Sequence, residues 1–526
     1  MRWLGDPDHR TFLSLPPLLA VVVLVPLLAA VAMSFTSQAP GGEYLRYWGT
    51  TRGWEALART LRLAATAAVI AMPLGYALVV TAGRCGPTWT LAAVTTSCSA
   101  MLIPASLVAT AWTILAAPTH PIGAMITRRW PNFTMHAFPV AAAAGALRYF
   151  GLVAAAVWLG QLRQAKADPA ERAFEVPAMT RWVHLRLRPM LPATVGGGAL
   201  VMLFCMNDHI LPGMFLISTC GTQVMIEYTA RMDPAGAVAV AVPMAVVGAG
   251  LLWAAGRLVR PTAAATERLS SAAPSAGWAI RVGGAVVSAT ILAVALAVPV
   301  GVLAERTATP AALVEAFHLG RREAAHSLAL AIMTAGLCVL LAAPLADHWL
   351  RRRGGVAALA VLNLAVPASL PAIVVVVIVA LPPLRWLDQT LWPLAFACAA
   401  RFTPVAMFVL LALWRDENPL ADQAAVVHGL SVWRRLRRLT WPRRRLSVLT
   451  AGLVCAVLAV TELEMAVMLA PPDGATLAVR LYTMIHTAGE QVVSALTLCL
   501  LGLTIVGIAL LTGMIALASH RRRRTS

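Results

Sequence analysis

The stretch Leu18-Leu-Ala-Val-Val-Val-Leu-Val25 is continuously apolar, and Ile373-Val-Val-Val-Val-Ile-Val-Ala380 has the same character late in the chain. Such runs lack the alternation of apolar and polar residues that membrane β-strands show. A helix needs about 20 mainly apolar residues to cross ~30 Å of hydrocarbon. Of the 526 residues, 59% are hydrophobic and 12% are charged, which is too apolar for an ordinary soluble protein. The sequence therefore predicts an all-α integral membrane protein.

About twelve transmembrane helices are expected from the apolar runs. They lie at residues 12–33, 57–80, 89–116, 136–162, 193–217, 235–256, 279–303, 324–346, 356–381, 392–414, 448–470 and 490–518. The first is too long for the apolar core of a signal peptide, so we expect it to be retained.

The formal net charge is +19, and the distribution of the basic residues along the chain agrees with the predicted membrane orientation. With the N-terminus inside, most Lys and Arg residues fall in inner loops, as the positive-inside rule requires. The charge therefore predicts contact with membrane lipid and orientation in the cytoplasmic (inner) membrane, and it does not predict a nucleic-acid partner.

An internal repeat organises the chain. The tetrapeptide Pro-Ala-Ser-Leu occurs at Pro104–Leu107 and again at Pro367–Leu370, an offset of 263. Further equivalent pairs are Arg148 with Arg401 and Pro189 with Pro442 at an offset of 253, and Asp208 with Glu462 and Tyr228 with Tyr482 at 254. We expect two parallel six-helix repeats, residues 1–256 and 279–526, joined by a cytoplasmic linker at 257–278.

A polar inner loop of the second half reads Asp422-Gln-Ala-Ala-Val-Val-His-Gly429. The pattern predicts a short helix from Gln423 to His428 that Gly429 ends or bends. A strongly basic segment then continues to Pro442.

This loop resembles the EAA loop of ABC importer permeases, the coupling helix that docks into the ATPase subunit. The residues Gln423, Ala424, Ala425 and Gly429 match its E-A-A-x-x-x-G pattern with Gln in place of Glu, and Trp433 stands at its aromatic position.

The corresponding loop of the first half matches less well. Glu171, Ala173 and Trp182 fall at equivalent positions, but Val176 or Pro177 stands where the family has glycine.

The resemblance extends to Thr461–Glu464 and Ala470–Tyr482, which look like the fused two-domain permeases of ferric iron uptake and, more distantly, of thiamine uptake. It implies a type I ABC importer fold, two copies of an ABC ATPase subunit and an extracytoplasmic solute-binding protein. It implies no cofactor and no catalytic residue in this chain. A Walker A loop needs Gly-Lys-Ser/Thr, and the only lysine, Lys166, lies between two alanines.

The carboxylates of Asp208 and Glu462 fall deep in the predicted fifth helices of the two halves. Two interpretations stay open, because buried charges in a membrane either line a pathway or make interhelical contacts that fix packing. The equivalent Arg148 and Arg401 could attract an anionic chelate, reach the lipid headgroups, or pair with a carboxylate.

Neither a metal site nor a disulfide framework is predicted. The eight cysteines form no CxxC pair, and His318 and His326 lack a carboxylate companion. An ion-coupled secondary transporter is the alternative function, since it could also have two parallel six-helix halves. A membrane enzyme is disfavoured because no cluster of His and Asp lies on one side of the membrane.

Overall fold

The structure is a computed structural model, and it describes residues 46–130, 138–164, 187–258, 277–307, 309–352, 361–414, 424–425, 427–485 and 487–525. Every regular element in these ranges is helical, as the sequence predicts.

Eight of the described helices are long and apolar enough to cross a membrane, so the chain is a multi-pass membrane protein. They span Thr51–Cys85, Phe138–Gln161, Arg188–Asn207, Pro234–Leu258, Trp278–Thr307, Pro310–Leu350, Trp392–Trp414 and Glu490–Leu511. The predicted helix at 12–33 lies outside the described residues. The number twelve therefore stays a prediction.

The chain forms two compact units. One contains Gly41–Ala312 and Glu490–Leu498. Its elements are α1 (Thr51–Cys85), α2 (Pro87–Ser99), α3 (Ala105–Ala116), α4 (Pro121–Arg129), α5 (Phe138–Gln164), α6 (Arg188–Asn207), α7 (Ile210–Met214), α8 (Cys220–Thr229), α9 (Pro234–Leu258) and α10 (Trp278–Thr307, with a π-helical turn at Ala293–Ala297).

The other unit contains Leu313–Gly489 and the chain from Cys499 onward. Its elements, two of which extend across the unit boundaries, are α11 (Pro310–Arg352), α12 (Ser369–Val379), α13 (Trp392–Trp414), α14 (Val432–Arg435), α15 (Trp441–Val460), α16 (Glu464–Leu469), α17 (Leu477–Ile485) and α18 (Glu490–Thr525).

The compact units and the sequence repeat divide the chain differently. Helix α10 belongs to the first unit, where the Trp89 indole N–H on α2 donates to the Ser288 hydroxyl at 3.0 Å. Most of the predicted linker at 257–278 lies outside the described residues. The predicted domain boundaries at 256 and 279 therefore stay a prediction.

Several predicted membrane helices are interrupted. The segment predicted as a helix at 89–116 bends by 92° between Leu102 and Ala105. Pro104 explains the bend, because a proline disfavours helical geometry at the residue before it, and Ile103 is extended at φ −72° and ψ 135°. The predicted helices at 193–217 and 448–470 are also interrupted, at Asp208 and Thr461 respectively.

Close helix packing in the first unit positions α5. A Cβ atom added at Gly75 of α1 would lie 2.6 Å from the Val153 side chain, and one added at Gly197 of α6 would lie 2.7 Å from the Val153 Cα. Such small residues let membrane helices approach closely. Helix α5 is thereby held between α1 and α6, with Arg148 and Tyr149 on it.

Candidate functional site

The segment around Gly429 forms a helical turn. Ala424, Ala425 and Val427 are helical, and the His428 N–H donates to the Ala424 carbonyl at 2.9 Å. Gly429 has a left-handed φ of +67°, and the Leu430 N–H then donates back to the Ala425 carbonyl at 3.1 Å. This is the pattern with which a glycine ends a helix. The prediction that Gly429 ends this turn is confirmed, while Gln423 lies outside the described residues.

Large apolar side chains are exposed along this segment. Val427 is 81% exposed, Leu430 39% and Trp433 68%. Exposed arginines follow at positions 434, 437 and 438. Exposed apolar residues with a basic border are typical of a surface that contacts another protein or a membrane.

The exposed segment is continuous with a long helix. Trp433 lies in α14, and a π-helical turn at Leu436–Thr440 joins α14 directly to α15. Because the helix continues through this turn, displacement of α14 can be passed to α15.

The first coupling loop cannot be compared in the same way. Glu171, Ala173 and Trp182, which the sequence assigns to it, lie outside the described residues. Their role stays a prediction.

Asp208 lies at the break between α6 and α7. Its Oδ1 accepts the backbone N–H groups of Ile210 and Leu211, each at 3.1 Å. Its Oδ2 accepts the Tyr149 hydroxyl at 3.0 Å and lies 3.8 Å from Nη1 of Arg148. The carboxylate therefore caps α7 and pairs with α5.

Glu462 occupies the corresponding break between α15 and α16. Its Oε1 accepts the Met465 N–H at 3.1 Å, at the start of α16. The neighbouring Glu464 is 7% exposed, and its Oε1 accepts the Ser369 N–H at 3.1 Å, at the start of α12. Both carboxylates thus satisfy backbone donors at the beginnings of short helices.

These caps explain how broken helices are tolerated in this protein. The first N–H groups of a helix have no intrahelical acceptor, and an unsatisfied group in hydrocarbon costs several kcal/mol. A carboxylate also interacts favourably with the positive end of the helix dipole. The contacts of Asp208 and Glu462 are those expected of packing residues. Their place along a pathway stays a prediction.

The two arginines of the repeat have different partners. Arg148 is paired with Asp208, with side chains 12% and 8% exposed. Arg401 instead donates from Nη1 to the Val366 carbonyl at 2.8 Å. Each is thus engaged within its own unit, and pairing with a carboxylate, one of the interpretations left open, applies to Arg148.

The sequence did not identify Tyr149 as a hydrogen-bond partner of Asp208. It also did not identify Glu464 as the hydrogen-bond acceptor at the start of α12. The signal for Glu464 was a second carboxylate in an apolar segment, which requires a polar partner. No sequence signal singles out Tyr149, because the contact joins residues of different helices.

In the described residues, no group of three or more His, Cys, Asp and Glu side chains could hold a metal ion. His326 Nδ1 lies 3.3 Å from the Ala475 carbonyl, which makes it a packing contact between residues distant in the sequence. All eight cysteines are free thiols.

Comparison with protein-family models, with curated proteins and with solved structures gives no match for this chain.

Proposed function

We propose that this chain is the membrane-spanning permease subunit of an ABC importer in the cytoplasmic membrane. The observation that carries the proposal is the turn at Ala424–Gly429, which matches the coupling pattern and is continuous through α14 with the long helix α15. A partner that moves this turn would move α15 with it. ATP hydrolysis would take place in a separate subunit, present in two copies.

The order of elements supports the proposed duplication. A long helix, a carboxylate-capped break, two short helices and a long helix follow one another in α6–α9 and again in α15–α18. A three-residue 3₁₀ turn precedes each Pro-Ala-Ser-Leu sequence, at Ala100–Leu102 and at Leu362–Leu364.

Ferric iron is the substrate favoured by the resemblance at Thr461–Glu464 and Ala470–Tyr482, followed by thiamine or another small solute. An extracytoplasmic solute-binding protein would deliver it. Identifying that protein from the neighbouring genes and measuring which solute it binds tests this choice; a binding protein that takes neither ferric iron nor thiamine would refute it.

A second candidate, an ion-coupled secondary transporter, is favoured by the Arg148–Asp208 pair. Ionisable pairs inside a membrane are common in proton relays. In that case the exposed turn would have no ATPase partner.

One experiment separates the two candidates. The chain is reconstituted into vesicles with the ATPase subunit that co-purifies with it, and solute uptake is measured with ATP, with an ATPase variant lacking its Walker A lysine, and with a proton ionophore. An importer requires the intact ATPase and is insensitive to the ionophore. Uptake that persists without ATP hydrolysis and collapses with the ionophore contradicts the proposal.

A further inference from the structure

Three side chains meet where α11, α13 and α15 end or begin. Nη1 of Arg444, on α15, donates to Oδ1 of Asp347, on α11, at 3.0 Å. The Arg444 guanidinium also lies 4.1 Å from the ring centroid of Trp414, the last residue of α13. We refer to Asp347, Trp414 and Arg444 as the Arg444 cluster.

The cluster is shielded from solvent. The Trp414 side chain is 3% exposed, Arg444 13% and Asp347 30%. The neighbours Arg443 and Arg445 on the same helix are exposed. A guanidinium stacked on an indole and paired with a carboxylate interacts more strongly when it is desolvated. Arg444 therefore ties α15 to α11 and α13.

The Arg444 cluster joins the two ends of the segment at 415–443, which contains the candidate coupling turn. Trp414 immediately precedes this segment, and Arg444 lies four residues into the helix that follows it. The exposed residues Val427 and Trp433 lie between them in sequence. The contacts of the cluster thus join the two ends of the segment to each other and to α11.

We propose that Arg444 is a positioning residue that fixes the two ends of the segment containing the coupling turn to each other and to α11, so that displacement of the turn moves α11, α13 and α15 together. This rests on the proposed function, because it assigns the turn a partner that displaces it. Without the contacts of the cluster, the chain between α13 and α15 would deform when the turn is displaced, and the three helices would not move.

The chemistry requires arginine at this position. A planar guanidinium can stack on the indole and bond to the carboxylate at the same time, whereas the compact, strongly hydrated ammonium of lysine has no flat face with which to stack. The equivalent positions of the first half do not carry this pair of residues. The repeat offset of 253 places Leu191 and Gln161 at the positions of Arg444 and Trp414. Arg444 therefore lies in the half whose loop matches the coupling pattern better.

The test compares Arg444→Lys, Arg444→Gln and Asp347→Asn with the exposed neighbours Arg443→Gln and Arg445→Gln as matched controls. Asp347→Glu, which keeps the charge, is the conservative variant. The full chain is purified in detergent, and hydrogen exchange of the segment from 424 to 440 is followed by mass spectrometry. This readout needs no ATPase and so stands independently of the proposed function.

The three cluster variants should exchange about tenfold faster in this segment, while the interior of α15 stays protected, because opening becomes local. In the reconstituted transporter the same variants should still bind the ATPase and hydrolyse ATP but transport less solute per ATP. The two controls and Asp347→Glu should resemble the wild type in both assays.

Exchange in the segment that is unchanged in Arg444→Gln and Asp347→Asn would overturn the proposal. So would variants in which α15 and the segment lose protection together, because that result describes a general loss of stability. If exchange changes as expected but no ATPase partner couples to the chain, the cluster holds the turn and the proposed function fails instead.

Discussion

At the scale of single residues, the backbone conformation of Gly429 determines the shape of the coupling turn. Its φ of +67° is strained for residues with a side chain, while a Cβ added there would meet nothing within 4 Å. Any effect of substitution therefore comes from the backbone conformation and not from a clash. Left-handed geometry costs a non-glycine residue about 1–2 kcal/mol.

We expect Gly429→Val to disturb the turn and lower both transport and stimulated ATPase activity, with membrane insertion unchanged. Asparagine tolerates left-handed angles better than β-branched residues, so Gly429→Asn is the matched control and should keep most of the activity. The measurements are uptake in vesicles and ATP hydrolysis by the co-purified subunit. Full activity in Gly429→Val would argue against the coupling assignment.

We expect Asp208→Asn to destabilise the first unit by about 3 kcal/mol, because it leaves the buried Arg148 without its anion. The double variant Arg148→Gln/Asp208→Asn should be more stable than Asp208→Asn alone. Thermal unfolding in detergent measures both, and the double-mutant cycle isolates the pair. Strictly additive effects would mean that the 3.8 Å pair contributes nothing.

The pathway interpretation predicts that Asp208→Cys and Glu462→Cys react with small hydrophilic thiol reagents, in a background without the eight native cysteines. Their reactivity should change when the ATPase is trapped with nucleotide. Cysteines at the buried positions Val201 on α6 and Val457 on α15, the helices that precede the two carboxylates, serve as controls. Reaction with lipid-soluble reagents alone would leave both carboxylates as packing residues.

At the scale of elements, the sequence could predict the long helices but not their interruptions. Apolar residues flank Asn207-Asp208-His209 on both sides, so the average hydropathy of the whole segment gives no sign that α6 ends at Asn207. The sequence Asn207-Asp208-His209 nevertheless contains the side chains that cap helices. Pro104 was a comparable signal for the 92° bend. Which carboxylate meets which helix depends on tertiary packing, and a single sequence does not contain that information.

The two coupling loops should respond differently to substitution, because only the second has a glycine at its turn. The Arg444 cluster also joins the ends of the segment that contains the second loop. Matched alanine scans from Glu171 to Trp182 and from Gln423 to Trp433 test this. We expect larger losses of stimulated ATPase activity in the second scan. Equal sensitivity of the two loops would contradict the expectation of unequal halves.

At the scale of the whole molecule, the predicted topology places the linker at 257–278 and the coupling turn on the same, inner side. Single cysteines at Ser271 and at Val427 should therefore both be labelled by an impermeant reagent only after the membrane is opened. Labelling of one from outside would require a different number of spans between them. Membrane class was predictable from the sequence because composition alone decides it, whereas the number of spans depends on interrupted helices that composition does not reveal.

The pairing of Arg148 has a consequence for the order in which the protein is made. Asp208 follows Arg148 by 60 residues, so at about 5–20 residues per second the arginine waits roughly 3–12 seconds for its carboxylate to leave the ribosome. The carbonyl that receives Arg401 belongs to Val366, which is synthesised first. During biogenesis, the first half must therefore keep Arg148 away from the lipid until Asp208 has been synthesised. In the second half, the acceptor of Arg401 is already present when Arg401 is synthesised.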